Sequence, residues 1–343
     1  MFNPNRFVKT LMWGGVAAAV LTGCNKPAET TTDAAATGGD APVAATEMKT
    51  VAITAIVEHP ALDAVRKGVI DELAAEGFTD GKNLKVNFQS AQGNTGTAGQ
   101  IAKQFVADAP DVIVAIATPS AQSVAAATTS IPLVFSAVTD PVEAKLVSKL
   151  DGSGTNVTGA SDVLPYEPQI DLMKQIIPNL KNVGYVFSPG EVNSTIVLKN
   201  LKAKLTPMGI TVHESPAQRS NDIAMAARSI ADKVDVIYTS TDNNVVSAYE
   251  SLSQVAKESK VPLIASDTDS VARGAVAALG VNYYDLGRET GKIVVRILNG
   301  TDVGTIPVYI PQSLDLYVSP TNATAAGLTL PQDVIDKAKE VVK

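Results

Sequence analysis

The sequence predicts an α/β protein with two similar lobes, each built on a mostly parallel β-sheet. Short apolar, β-branched runs alternate with longer segments of helical period, which is the pattern of βαβ units. The predicted strands are nearly continuous apolar runs, as expected for sheets that helices cover on both faces. One strand–loop–helix–strand arrangement also occurs twice, starting at Asp111 and again at Asp235.

The predicted elements alternate from Thr50 onward. The strands are short runs rich in Val, Ile, Leu and Phe: Thr50–Val57, Leu84–Phe88, Val112–Ile116, Pro132–Phe135, Val183–Phe187, Ile210–His213, Val236–Tyr238, Pro262–Ala265 and Val276–Val281. Helical periodicity marks segments between them: Pro60–Glu76, Thr95–Ala107, Tyr166–Ile177, Val192–Leu205, Ile223–Ala231 and Asn244–Glu258. Roughly 290 residues of this kind are enough for two lobes of ordinary domain size.

The first residues have the features of a bacterial lipoprotein signal peptide. Arg6 and Lys9 form a short cationic region, and residues 10–21 form an apolar run that is too short to span a membrane. The run ends in LTGC, which resembles the lipobox, where a lipid is attached to the cysteine and the chain is cut before it. We therefore predict a signal peptide over 1–23 and a lipidated Cys24. The alternative is an ordinary secretory signal with an incidental cysteine.

A flexible tether is predicted to follow the lipid. Residues 24–49 are rich in Ala, Thr, Pro and Gly and have no periodic apolar face. Cys24 is the only cysteine of the chain, so the sequence allows neither an intramolecular disulfide nor a thiolate metal cluster. The protein is expected outside the cytoplasm, anchored to the cell membrane.

The charge of the chain argues against nucleic-acid binding. The formal net charge is −7, and loss of the signal peptide removes two cations and no acid. Phosphate binding needs clusters of Lys and Arg, which an acidic chain of this kind does not provide through its overall field. The signal peptide and the lack of a DNA-binding head also exclude a transcriptional regulator of the same fold.

Two polar loops of the first half suit a ligand carboxylate. Ligands of open α/β sheets bind outside the carboxyl ends of the strands. After the strand that ends at Ile116, we expect Thr118 to be an N-cap and Pro119 the first helical residue, so that free N–H groups face outward. Ser120 and the loop 136–139 add hydroxyl groups. The alternative is capping without a ligand.

The corresponding loops of the second half are acidic. Asp242 and Asn243 follow one strand, and Asp267 and Asp269 follow the next. Carboxylates beside a cleft favour a ligand cation such as an ammonium group. Helix capping is the alternative, and at least one of these aspartates is expected to be only a cap. Together the two halves predict a zwitterion that is held across a cleft.

Catalysis and metal binding find little support in the sequence. The two histidines, His59 and His213, have no recognisable partners for a triad. The sequence contains no Walker loop, no GxGxxG after a strand, no HExxH and no metal-ligand cluster. We therefore expect neither an enzyme nor a cofactor. A carboxylate pair of a glycoside hydrolase is not selected by any pattern.

Several segments together resemble a known family. They are VEHPALD (57–63), ATPSA (117–121), SAVTDP (136–141), EVNS (191–194), TDN (241–243), SDTDSV (266–271) and YYDLG (283–287). Over about residues 50–310 the chain resembles the ABC-transporter substrate-binding proteins that include the tryptophan-binding lipoproteins called TrpX. The resemblance implies a type I periplasmic-binding fold, in which two Rossmann-like lobes are joined by a three-strand hinge.

The resemblance also implies a domain arrangement. Residues 50–160 would form lobe 1 and 161–282 lobe 2, with 283–312 returning to lobe 1 and 313–343 to lobe 2. The crossings would fall near Thr158–Asp162, Val281–Tyr284 and Pro311–Leu316.

The resemblance further implies a free amino acid ligand, often Trp, Phe or Tyr. Carried onto this chain, the ligand contacts are Glu58, His59, Thr118, Ser120, Ser136, Ala137, Val138, Thr139, Glu191, Asn193, Asp242, Asn243 and Asp267. We expect the carboxylate at Ser120 and the first-lobe loops, and the ammonium at Asp267 or Asp242. The implied partners are an ABC permease and its ATPase, with the binding protein itself a monomer. A sugar or nucleoside ligand, a receptor role and a lipid-anchored hydrolase are the competing hypotheses.

Overall fold

A computed structural model describes residues Met48–Lys343. The predicted signal peptide, Cys24 and the tether as far as residue 47 lie outside the described residues. The tether was predicted to run to residue 49, but the first strand already begins at Lys49. Its backbone N–H donates to the carbonyl of Asn83, and this bond starts the pairing with the neighbouring strand.

The first sheet has five parallel strands and lies in the N-terminal half. They are β1 (Lys49–Ala55), β2 (Leu84–Ser90), β3 (Val112–Ile116), β4 (Leu133–Val138) and β5 (Val157–Ser161), in the spatial order β2-β1-β3-β4-β5. The connecting helices are α1 (Pro60–Ala75), α2 (Thr95–Asp108) and α3 (Thr118–Ala127). Every residue of β3 and β4 is buried, as the continuous apolar runs predict for a sheet covered on both faces.

The second sheet has seven strands and one antiparallel pair. They are β6 (Asn182–Phe187), β7 (Thr211–Pro216), β8 (Val236–Thr239), β9 (Leu263–Ala265), β10 (Ala277–Gly280), β11 (Asp315–Val318) and β12 (Glu340–Val341), in the order β12-β11-β10-β9-β8-β6-β7. Only β10 and β11 pair antiparallel among the described strands. The helices that follow β5 are α4 (Tyr166–Ile176), α5 (Val192–Leu205), α6 (Ile223–Arg228), α7 (Asn243–Ser247), α8 (Tyr249–Ser259), α9 (Asp269–Ala272), α10 (Tyr283–Leu298), α11 (Pro320–Ala325) and α12 (Gln332–Lys337). The prediction of two α/β units with mostly parallel sheets is confirmed.

The helix α10 was not predicted, and it packs against the first sheet and α1. It packs on α1 so closely that a Cβ on Gly287 would lie 2.2 Å from the carbonyl oxygen of Val65. A Cβ on Gly68 would likewise lie 2.3 Å from the carbonyl oxygen of Tyr284. Leu286, Ile293 and Val294 therefore belong to the same core as the first sheet. The first lobe comprises β1–β5 with α1–α3 and α10, and the second lobe comprises β6–β12 with the other helices.

Three connections join the lobes. They are residues 162–165 between β5 and α4, residues 281–282 between β10 and α10, and residues 310–314 before β11. Tyr309 remains attached to the first sheet, because its N–H donates to Gly159 and its carbonyl accepts from Ser161. The implied boundaries at 160, 282 and 312 stay a prediction.

The repeated arrangement in the sequence has the same structural role in both lobes. The carboxylate of Asp111 accepts from the N–H of Thr50 at 2.7 Å, which holds the loop before β3 to the start of β1. The carboxylate of Asp235 accepts from the N–H of Asn182 at 2.7 Å and so holds the loop before β8 to the start of β6. The two aspartates therefore mark equivalent strand pairs, and the loops after those strands are equivalent as well.

The single helix predicted over Asn244–Glu258 is in fact two helices. The chain leaves helical geometry at Ala248, whose φ is −108°, so that α7 ends and α8 begins there. The helix predicted over Ile223–Ala231 is also shorter, because it ends at Arg228.

Candidate functional site

Residues of both lobes and of the first connection surround two adjoining cavities. Cavity A is lined by His59, Ala61, Leu62, Ala117, Thr118, Ala137, Asp162, Asn193, Thr241, Asn243, Val246, Asp267 and Tyr283. Cavity B is lined by Thr139, Asp162, Leu164, Tyr166, Gln169, Val197, Tyr238, Ser240, Thr241 and Ser266. Asp162 and Thr241 belong to both walls, so they separate one cavity from the other.

The first-lobe wall of cavity A is built from backbone turns with small side chains. Ala117 has φ 73° and ψ 154°, and Ala137 has φ 54°, which are conformations that L-residues rarely adopt. The turn at Ala117 brings Thr118 into the first turn of α3. Thr118 was predicted to be the N-cap, but the helix already begins at this residue and Ala117 is its N-cap. The hydroxyl of Thr118 is therefore buried without a hydrogen-bond partner.

His59 lies on the same side of cavity A and is uncharged. Its Nδ1 accepts from the N–H of Leu62 at 3.5 Å and caps the start of α1. Burial, with a smaller effect of Arg273, lowers the pKa of His59 to about 3. Because Nδ1 accepts a hydrogen bond, the neutral ring carries its proton on Nε2, which is then a donor.

Asp267 is the second-lobe carboxylate that lines cavity A. Its Oδ1 accepts from the N–H of Ser270 at 2.9 Å and its Oδ2 from the hydroxyl of Ser270 at 2.7 Å. Burial raises the pKa of Asp267 to about 6, against the lowering effect of the Ser270 hydrogen bonds. The carboxylate has room for further donors, because each oxygen holds only one of these bonds.

Asp242, the other candidate for the ammonium, is a helix cap. Its Oδ1 accepts from the N–H groups of Asn244 and Val245, each at 3.0 Å. Its Oδ2 accepts from the N–H of Ser188 at 2.6 Å, and Oδ1 also accepts from the Ser188 hydroxyl at 2.8 Å. The side chain is completely buried and lines neither cavity. Its hydrogen-bonding capacity is therefore used within the protein.

Asn193 and Asn243 complete the second-lobe wall of cavity A, and both donate hydrogen bonds to Glu191. Its Oε2 accepts from Nδ2 of Asn193 at 3.0 Å and from Nδ2 of Asn243 at 2.7 Å. Burial and the nearby charge of Asp242 raise the pKa of Glu191 to about 7. Oδ1 of Asn193 is buried without a partner, so it can accept a further hydrogen bond in cavity A.

The structure brings together only part of the predicted contact set. Cavity A contains His59, Thr118, Ala137, Asn193, Asn243 and Asp267, and cavity B contains Thr139. Six other predicted residues line neither cavity: Glu58, Ser120, Ser136, Val138, Glu191 and Asp242. Glu58 is exposed and accepts from Gln92, whereas the hydroxyl of Ser136 pairs with that of Thr290 at 2.7 Å.

Three polar residues that line cavity A were not among the predicted contacts. Asp162 lies in the first connection, and Tyr283, at the start of α10, donates its hydroxyl to Oδ2 of Asp162 at 2.7 Å. Thr241 donates to the same oxygen at 3.4 Å. The position of Asp162 directly after a strand is the only sequence signal for it, since its partners are distant along the chain.

Residues 48–343 contain neither a candidate metal site nor a candidate membrane span. No group of three or more His, Cys, Asp or Glu side chains in this range could hold a metal ion. None of its helices is long and apolar enough to cross a membrane.

Residues 50–342 match the family described as ABC transporter substrate binding protein. The chain belongs to this family. Its members are extracytoplasmic proteins that bind a small molecule for an ABC permease and are generally not enzymes, so the predicted family and its class of partner are confirmed.

Similar proteins agree with this assignment over most of their length. The chain is 38% identical to the tyrosine-binding protein of Clostridioides difficile over 308 residues, which is 90% of this chain and 88% of the relative. A conserved domain protein from Vibrio cholerae has 44% identity and a TM-score of 0.85, and an ABC domain from Streptococcus pneumoniae in complex with L-Trp has 34% and 0.83. Both comparisons cover 86% of this chain and 100% of the other. The fold is accordingly the type I periplasmic-binding fold.

Proposed function

We propose that this chain binds a free aromatic amino acid in its cleft, as the lipid-anchored binding protein of an ABC importer. The observation that carries the proposal is the chemical contrast across cavity A. The first lobe offers donors, namely the hydroxyl of Thr118 and Nε2–H of His59, whereas the second lobe offers the carboxylate of Asp267. An α-carboxylate and an α-ammonium group are complementary to these two walls.

The apolar walls and the relatives support an aromatic side chain on the ligand. Leu62, Ala137 and Val246 line cavity A, and Leu164 and Val197 line cavity B. The chain is similar to a protein named for tyrosine binding and to one whose structure contains L-Trp. Neither cavity wall contains a tryptophan, so the ring would pack on aliphatic and tyrosine side chains.

The mechanism follows from the position of the cavities between two lobes joined by three connections. A ligand that contacts both walls stabilises the closed arrangement by its higher affinity for it. The closed form is then the one that the permease recognises.

A thermal-shift screen of the chain from Asn25 onward tests the ligand class. The common amino acids, sugars and nucleosides are compared, and a ligand at 100 times its dissociation constant adds about 2.7 kcal/mol of stability. We expect a shift with Trp, Phe or Tyr alone. Stabilisation by only a sugar or nucleoside would refute the amino acid assignment and leave the family intact.

Fluorescence provides a second measurement on the same protein. Trp13 is the only tryptophan and precedes the predicted cleavage site, so the mature chain has none. Energy transfer from protein tyrosines to bound L-tryptophan can therefore be measured without background from the protein.

The anchor and the transport role need separate tests. We expect Cys24→Ser to move the protein from the membrane fraction to the soluble fraction without changing ligand affinity. Deletion of the chain should abolish cellular uptake of the labelled amino acid. Normal uptake in the deletion strain would favour a receptor role instead.

A further inference from the structure

Asp162 is a buried carboxylate at the centre of the site, and one of its oxygens is unused. Only 4% of the residue is exposed. Its Oδ2 accepts from Tyr283 and Thr241, whereas Oδ1 is buried without a hydrogen-bond partner. A buried acceptor that lacks a donor costs free energy, which a ligand donor can recover.

The walls around Asp162 contain no cation that could neutralise it. Among the described residues that line cavities A and B there is no lysine and no arginine. Arg273, which acts on Asp267 from outside the walls, forms a bidentate pair with Glu250 and donates to the carbonyl of Val246. Burial raises the pKa of Asp162, as expected for a carboxyl group in this position.

We propose that Oδ1 of Asp162 accepts a hydrogen bond from the ammonium group of the bound amino acid, as a second acceptor beside Asp267. This inference rests on the proposed function. An ammonium group has three N–H donors, and both aspartates line cavity A. Asp162 therefore supplies an acceptor for one N–H that Asp267 leaves free.

The position of Asp162 also connects the ammonium to the hinge. Asp162 lies in the first connection between the lobes, and Tyr283 directly follows the second. Thr241 belongs to the second lobe, so Oδ2 already joins three parts of the structure. A ligand on Oδ1 fixes the carboxylate in this arrangement and so favours the closed form.

The test is a double-mutant cycle between the protein and its ligand. Calorimetry gives the dissociation constants of L-tyrosine and desaminotyrosine for the wild-type chain and for Asp162→Asn; L-tryptophan and indolepropionate replace them if tryptophan binds more tightly. The amide can still accept from Tyr283, but it presents N–H groups to the ligand. We expect Asp162→Asn to weaken binding of the amino acid at least about tenfold and that of the desamino analogue less than about twofold.

Two control variants separate recognition from structure. Asp63→Asn removes a carboxylate that lines neither cavity and is expected to leave both dissociation constants unchanged. Tyr283→Phe removes a partner of Oδ2 only, so any loss should be equal for the two ligands. Thermal melting of each ligand-free variant establishes that it is folded.

Other outcomes would overturn the assignment of Asp162. An equal loss for both ligands in Asp162→Asn would make the residue structural, and no loss would remove it from the site. Failure of the wild-type chain to bind any aromatic amino acid would instead refute the proposed function, and with it this inference, before any variant is measured.

Discussion

The repeated arrangement gives each lobe equivalent positions at the cleft. Thr118 and Asp242 are equivalent, because they lie the same number of residues after Asp111 and Asp235. Ala137 and Asp267 are equivalent for the same reason, counted from Pro132 and Pro262. The strands before these loops are apolar and buried in both lobes, so the scaffold is the same. The side chains at the cleft differ in charge and in the number of hydrogen bonds that they make within the protein. In the proposed function, one scaffold thus presents opposite chemistry to the two ends of a zwitterion.

The difference extends from charge to backbone conformation. In the first lobe, Ala117 and Ala137 have positive φ, and the hydroxyl of Thr118 has no partner. In the second lobe, the equivalent Thr241 and Asp267 are not among the positive-φ residues, and Asp242 makes all of its bonds internally. In the proposed function, the free hydroxyl of Thr118 in the first lobe is available to the ligand, whereas the equivalent carboxylate of Asp242 in the second lobe serves the protein's own structure.

Removing the carboxylate of Asp267 tests the contrast most directly. Asp267→Asn should weaken binding of the amino acid about 10- to 100-fold, because a hydrogen bond to a charged group contributes about 1.5–3 kcal/mol. Isothermal calorimetry measures this change. Asp269→Asn is the matched control, since this carboxylate lies two residues further on, at the start of α9, but lines neither cavity. Equal losses in the two variants would mean that only the overall charge of the lobe matters.

Single substitutions of the equivalent residues Thr118 and Asp242 should affect different properties. We expect the first to change ligand affinity and the second to change stability. In Asp242→Asn, the amide nitrogen replaces an oxygen that accepts either from the N–H of Ser188 or from the first N–H groups of α7. Two donors then face each other, which should lower the free energy of unfolding by about 2 kcal/mol. Thr118→Val removes a hydroxyl without a partner and should change that free energy by less than about 0.5 kcal/mol, while weakening ligand binding several-fold. Urea unfolding and calorimetry measure the two effects. A stability loss in Thr118→Val as large as in Asp242→Asn would contradict the comparison.

The pH dependence should distinguish binding from stability. The ammonium requires the ionised form of Asp267, whose pKa is raised to about 6, so affinity should fall about tenfold per pH unit below pH 6. The contribution of Asp267 to the stability of the ligand-free protein should instead be largest at low pH. Because the folded state holds this proton more tightly than the unfolded state, its contribution to stability is full below pH 3.8 and is lost as the pH rises through 6.

The variant Asp267→Asn separates this titration from that of other carboxyl groups. It should flatten the slope of affinity against pH, although the raised pKa of Asp162 leaves a smaller dependence. An affinity that is constant between pH 5 and pH 7 in the wild-type chain would exclude Asp267 as the acceptor of the ammonium.

The sequence predicted the scaffold better than it predicted the site. Apolar runs located β1–β4 and β6–β10, because burial on both faces leaves a signal in each run by itself. The strands β5, β11 and β12 were not among the predicted strands. The helix α10 was missed although Leu286, Ile293 and Val294 follow a helical period, since Gly287 and Gly291 interrupt a pattern that is explained only by close packing on α1.

The assignment of roles to the aspartates was beyond the sequence for a different reason. Asp242 and Asp267 both follow strands, and only the structure shows that the first caps α7 and that the second lines a cavity. Asp162 depends on Tyr283 and Thr241, which are 121 and 79 residues away along the chain. No local pattern can encode contacts of this range.

The smallest expected effect concerns the backbone strain at Ala117. Its φ of 73° and ψ of 154° lie in a region that is essentially restricted to glycine, at a cost of about 1–3 kcal/mol. Ala117→Gly should therefore stabilise the ligand-free protein by about 1 kcal/mol, whereas Thr241→Gly at the equivalent position should destabilise it by a similar amount. Urea unfolding of both variants measures the difference.

The ligand affinity of Ala117→Gly then shows what the strain does. If the strained turn holds Thr118 towards cavity A, a more flexible glycine should weaken binding about two- to threefold despite the gain in stability. Destabilisation by glycine would mean that packing of the Ala117 methyl group outweighs the strain. In that case the lobes would differ at the cleft in charge and hydrogen bonding but not in stored backbone strain.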